Sequence, residues 1–241
     1  MRFGARHTSR AYEAELEELR TAAVAMGDLC RQALGTALDA FHGGSHDLAR
    51  RVQEFDRRVD DSEMAIDALV LRILALRQPV ASDLRLLTMT LKLVTDLERI
   101  GDEAVNIAER AIDERCEPDA KTRSLLEQMS AETQRMLSTA LDAFVAGDGE
   151  RAEEVLAHDD IVDELYGQTM RGMEEYMMRH PADIRAALSV MSVAKYLERV
   201  ADHATNIAEE VIFVVRGDDV RHHGSLVAPR SERVSDPAGP G

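Results

Sequence analysis

The sequence predicts an all-α protein, a tandem repeat of two antiparallel three-helix bundles with six long helices. Three observations lead there. Of its 241 residues 4% are aromatic, none is Trp and 45% are hydrophobic, a mixture rich in Ala, Leu, Glu, Asp, Arg and Met that favours helix over sheet and suffices for a core. Apolar positions recur at alternating spacings of four and three over runs far longer than a strand. Finally, "DLERIGDEAVNIAER", Asp96 to Arg110, returns 100 residues later as "YLERVADHATNIAEE", Tyr196 to Glu210.

Each element follows from that rhythm. Tyr12, Leu16, Leu19, Ala23, Met26, Cys30, Ala33, Ala37 and Ala40 mark one face of a first helix, ended by "HGGS" at His42 to Ser45. Ser45 caps a second helix, carried by Leu48, Val52, Phe55, Val59, Ile66, Leu69, Ile73 and Leu76 until Pro79. Ser82 caps a third, with Asp83 in its favourable first turn, running to about Ile112. A break around Pro118 leads to Asp119 as cap of a fourth, which ends at "GDG", Gly147 to Gly149. A fifth helix runs to about Arg179. His180 and Pro181 precede a sixth, to about Arg216, with Gly217 as its C-terminal cap.

The second three helices repeat the first three. "ALDAF" at Ala37 to Phe41 recurs at Ala140 to Phe144, and "DRRVD" at Asp56 to Asp60 answers "DDIVD" at Asp159 to Asp163, both at an offset of 103. In the third and sixth helices the offset is 100, so three residues have been lost from the intervening loop of the later copy. The expected units are 8–117 and 118–217, packed as one body or as a hinged pair. Residues 218–241, rich in Gly, Pro, Ser and charge without periodicity, are expected to form a disordered tail.

A formal charge of −16 argues against a nucleic-acid binder, which needs clustered Lys and Arg. Cations or basic protein surfaces are the expected partners. The first residues lack the apolar run of a signal peptide, and no window approaches the ~18 apolar residues of a membrane span, so the expected location is cytoplasmic. Cys30 and Cys116 match no metal-ligand spacing, and Cys30 is expected in a core. The eleven Met residues, "YMMRH" included, are expected mostly as core filler.

The repeated motif carries the chemistry. Glu98 and Asp102, like Glu198 and Asp202, lie four apart on one helix face, where like charges cost roughly 0.2 to 0.5 kcal/mol per pair. At 100 degrees per residue, Leu87, Leu91, Val94 and Val105 fall within about 40 degrees of Glu98, so the carboxylates interrupt an apolar stripe. Small residues, Gly101 and Ala201, leave room beside them. Partly buried carboxylates must be neutralised, paired or bound to metal. Ion pairs with Arg99, Arg199 or Arg85 are one solution. The other follows from the acidic row Asp56, Asp60, Glu63 and Asp67 on the second helix and Asp159 and Asp163 on the fifth. If this row faces the third helix rather than solvent, Asp56, Asp60, Glu98 and Asp102 form one all-oxygen cluster. Asp159, Asp163, Glu198 and Asp202 form a second, each suited to a hard cation such as Mg²⁺, Ca²⁺, Mn²⁺ or ferric iron. Neither copy has the Glu-x-x-His of a ferritin-like oxidase, and no nucleophile–base pair, phosphate loop or H-E-x-x-H is present.

At "ERIGD", "ERVAD", "DRRVD" and "DDIVD" the sequence resembles the PhoU family of phosphate-signalling regulators, from about Tyr12 to Gly217. The resemblance implies a non-enzymatic cytoplasmic homodimer that represses phosphate uptake and the phosphate-starvation response. It implies as partners the ATPase subunit PstB of the phosphate-specific ABC transporter and the histidine kinase PhoR, with membrane association only through them. It also implies that the acidic motifs hold iron or another metal. A carboxylate–metal phosphoesterase and a metal-free helical scaffold are the alternatives.

Overall fold

The computed structural model describes residues 10–79, 81–112 and 116–216. Six long helices follow one another: α1 (Arg10–Gly43), α2 (His46–Arg77), α3 (Ala81–Glu109), α4 (Ala120–Ala146), α5 (Gly149–Arg179) and α6 (Ile184–Arg216). Short 3₁₀ turns follow α3, at Arg110–Ile112, and precede α6, at Pro181–Asp183. Among the described residues there is no strand. The predicted all-α tandem of three-helix bundles is therefore the fold.

Local chemistry sets most boundaries. Ser45 Oγ accepts from the Leu48 N–H at 3.3 Å, Asp119 from the Thr122 N–H at 2.9 Å, and Asp148 from those of Glu150 and Arg151, so a cap side chain takes one of the four leftover N–H groups at the start of α2 and of α4 and two at the start of α5. Gly147, at φ 62°, reverses the chain after α4, a left-handed conformation that a residue without Cβ adopts freely. Two expectations are corrected. The third helix begins at Ala81, so Ser82 lies in its first turn and bonds the Asp83 side chain instead of capping. Leu76 is 67% exposed, because Arg77, closer in phase with Ile73, takes the inward position and forks onto Glu15 of α1 at 2.8 and 2.9 Å. The cap expected at Gly217 and the tail 218–241 lie outside the described residues.

Within each unit all three helices pack on one another. Between units α3 lies on α6 and α1 on α4, while α2 and α5 flank the outside and touch only their own unit among the described residues. One apolar cluster runs through both units, from Leu19 and Met26 of α1 to Leu197 and Val200 of α6, so the repeats form one body. Gly27 permits the α1–α4 approach: a Cβ there would meet Leu141 Cδ2 at 2.8 Å. The expected stripe of α1 is buried throughout, and Cys30 sits at 0% exposure with its thiol donating to the Leu97 carbonyl. Met26, Met89, Met129, Met136 and Met173 fill the core, whereas Met64 and Met178 face outward.

Candidate functional site

Because α2 packs on α3 and α5 on α6, the two acidic rows of each unit meet along one helix–helix groove. Gly101 marks the first: a Cβ on it would stand 3.3 Å from Asp56 Oδ1 and 3.4 Å from Val59 Cγ1. The carboxylate of α2 thus rests directly on the backbone of α3, between Glu98 and Asp102. The acidic row of α2 is no merely solvated face.

The charges feel one another. Burial first, then the charges of Asp60 and Asp102, raises the Asp56 carboxyl above its ordinary range. Glu98 is raised by burial and by Asp102, against the pull of Arg99, and Glu63 by burial and by Asp67 and Asp60. In the second unit burial raises Asp159, opposed by a hydrogen bond from Thr205, with Asp163 and Glu198 adding to the rise. Asp202 keeps an exposed flank, yet it too is raised, by burial, Glu198 and Asp159. Glu98 and Glu198 are the more enclosed members, with 23% and 16% of their side chains exposed, while Asp102 is half exposed. The expectation that both members of the first motif interrupt the apolar stripe thus holds for Glu98, whereas Asp102 sits at its rim.

The expected neutralising arginines divide. Arg99 approaches Glu98 at 3.3 Å and Asp102 at 3.8 Å. Arg199 leaves its own motif and bonds Glu103 of the other unit at 3.1 Å. Among the described residues Arg85 pairs with neither motif. The sequence reading missed Lys195, whose ammonium lies 2.6 Å from both oxygens of Glu198. Its spacing of three before Glu198 was the available signal.

The donor set fits a hard cation: eight carboxylates, four to a cluster, several of them partly desolvated and mutually repelling. The Lys195 ammonium already stands in for one at Glu198. Among the described residues no three His, Cys, Asp or Glu side chains are arranged to hold an ion as they stand, so binding would need rotamer changes that draw Asp56 and Asp60 onto Glu98 and Asp102.

Also missed was a polar seam between the units. Glu103, nearly buried, receives Arg199 and, at 3.1 Å, the amide of Asn106. His203 Nδ1 donates to Asp96 at 2.9 Å, joined by Asn206 at 3.3 Å, and Lys92 donates to Glu210 at 2.7 Å. The partial signal was that Glu103 and His203 differ at one repeat position.

Fold and groove together define a class: an all-α tandem repeat carrying one acidic cluster per repeat. The PhoU domain matches twice, over residues 24–111 and 126–211. The chain belongs to the PhoU family. It is 43% identical over 220 residues to the phosphate-specific transport system accessory protein PhoU homolog of Pseudomonas aeruginosa, covering 90% of each chain. To the protein of that name, PhoU, from Escherichia coli K12 it is 38% identical over 219 residues, covering 91% of each. The crystal structure of PhoU from Pseudomonas aeruginosa superposes with a TM-score of 0.81 at 40% identity, over 86% of this chain and 100% of that one. The phosphate transport system regulatory protein PhoU from Streptococcus pneumoniae follows at 0.79 and 26% identity, over 87% and 99%.

Proposed function

We propose that this protein is a non-enzymatic regulator of phosphate homeostasis that restrains uptake through the phosphate-specific ABC transporter and damps the phosphate-starvation response when phosphate is plentiful. The observation that carries it is near full-length identity, 43% over 90% of both chains, to an accessory protein of that transport system. No described helix is long and apolar enough to cross a membrane. In this reading the protein meets the transporter from the cytoplasm through PstB, and the kinase through PhoR, acting as a homodimer. Its charge of −16 favours basic patches on those partners, with association that slows as salt rises. Deleting the gene should raise phosphate uptake and alkaline phosphatase in phosphate-rich medium. Unchanged uptake and phosphatase would remove the regulatory reading.

The acidic clusters complete it as metal sites. Asp56, Asp60, Glu98 and Asp102 would hold a cation in one unit, and Asp159, Asp163, Glu198 and Asp202 in the other. Iron, Mg²⁺, Mn²⁺ or Ca²⁺ there would supply the positive charge that joins two repelling helices. A ligand that binds only the folded state raises the unfolding temperature by mass action, and chelation reverses it. The double change E98Q/D102N should remove about half the bound metal. Ordinary turnover of phosphate esters by the metal-loaded protein would instead favour the phosphoesterase reading.

A further inference from the structure

The two clusters are not copies in charge. Two positions have changed together between the repeats: Glu63 of α2 is answered by Tyr166 of α5, and Thr95 of α3 by Lys195 of α6. These newcomers meet. The Lys195 ammonium lies 5.5 Å from the centre of the Tyr166 ring while it bonds both Glu198 oxygens at 2.6 Å. An aromatic face and a carboxylate therefore hold one cation between them. In the first unit the same two positions hold a further carboxylate, Glu63, and Thr95, whose hydroxyl donates to the Leu91 carbonyl of its own helix.

The remaining partners widen the difference. Thr205 donates to Asp159 at 3.2 Å, where the first unit has Val105. Arg99, the first cluster's cation, is 58% exposed and touches Glu98 at 3.3 Å through Nε, so solvent screens it. We infer that Lys195 is the built-in counter-ion of the second cluster, so that the first cluster is the one that demands an external cation. An ion entering the second unit must first displace an ammonium in direct contact with Glu198, whose side chain is 16% exposed. The first offers five acidic side chains along one groove, Asp56, Asp60, Glu63, Glu98 and Asp102, with Asp56 set against Gly101 between Glu98 and Asp102, and only an exposed guanidinium. This inference rests on the metal reading proposed above.

The test is a Mn²⁺ titration of the full chain, with free Mn²⁺ read by electron paramagnetic resonance. The wild type should bind one ion tightly and a second at least tenfold more weakly, and E98Q/D102N should abolish the tight phase. K195T should tighten the weak phase to within about threefold of the strong one, and T95K should weaken the strong phase at least tenfold. Circular dichroism and melting of each variant identify any that fails to fold, and T95K, on a half-solvated position, reads the same effect independently of K195T. Two equal sites unmoved by K195T and T95K would overturn the role of Lys195 and leave the metal reading standing. A wild type that binds no Mn²⁺ in either unit would remove both.

Discussion

Asp56 rests against Gly101 with its carboxyl pushed up by burial and by Asp60 and Asp102, and this fixes how the protein responds to acid. Glu63, Glu98, Asp159 and Asp202 are raised with it. Between the ordinary carboxylate pKa of about 4 and those raised values, the folded state binds more protons than the unfolded one. Stability therefore falls as pH rises through that window and recovers on mild acidification. Three carboxylates work the other way: Glu15 is held down by Arg77, Glu153 by Arg216 and Asp119 by the Thr122 N–H. Their contribution is lost as pH drops through their depressed values. In chelator, the melting temperature should thus peak on the acid side of neutrality; a steady fall from pH 7 downward would contradict it. A second residue-scale prediction concerns Gly172 of α5, where a Cβ would stand 2.3 Å from Oγ1 of buried Thr122. Overpacking costs about 1 to 3 kcal/mol and the helix gains about 1 from alanine, so Gly172→Ala should lose roughly 1 kcal/mol. Denaturant melts of G172A and of G172A/T122A check it, the second change restoring the loss.

Helix ends repeat the same economy of local partners in both units. Ser45 follows Gly44, at φ 63°, and its side chain takes the Leu48 N–H. Ser45→Ala should destabilise by about 1 kcal/mol, read as a shifted denaturation midpoint at constant slope. The α2 C-terminus is less conventional: Gln78 takes the left-handed conformation at φ 46°, a position usually left to glycine, just before Pro79. At the far end of each unit a tyrosine bonds an aspartate at the start of a motif helix, Tyr12 to Asp83 in the first turn of α3 at 3.0 Å and Tyr176 to Asp183 in the 3₁₀ turn just before α6 at 2.8 Å. The aspartates are repeat equivalents, yet the tyrosines come from different helices, α1 and α5. The same anchoring is reached by two routes.

At the scale of the molecule, the repeats are joined by an apolar core with a polar rim, and the rim is the easier part to test. Arg199 is about half exposed while its partner Glu103 is 11% exposed. Arg199→Ala should therefore cost roughly 1 to 2 kcal/mol, less than the 3 to 5 of a fully buried pair. Hydrogen exchange should quicken first along the α3–α6 contact and leave α2 and α5 unchanged. Uniform exchange across all six helices would deny the seam a joining role.

The sequence alone determined the six helices, the caps at Ser45 and Asp119, the duplication and the acidic motifs, because periodicity, cap chemistry and repeat offset are local quantities written along one chain. Asp119 and Gly147 could be assigned from their neighbours; the inward turn of Arg77 could not, since it depends on Glu15 of α1, and nothing local marks Gln78 for the left-handed conformation. The four carboxylates of each cluster could be nominated from spacing. Only the tertiary structure decided which of them are enclosed, that Arg199 serves the opposite unit, and that Lys195 and Tyr166 meet at Glu198. Those outcomes are set by how α3 and α5 each pack on α6. Competition among charges for partners in three dimensions leaves no periodic trace in one.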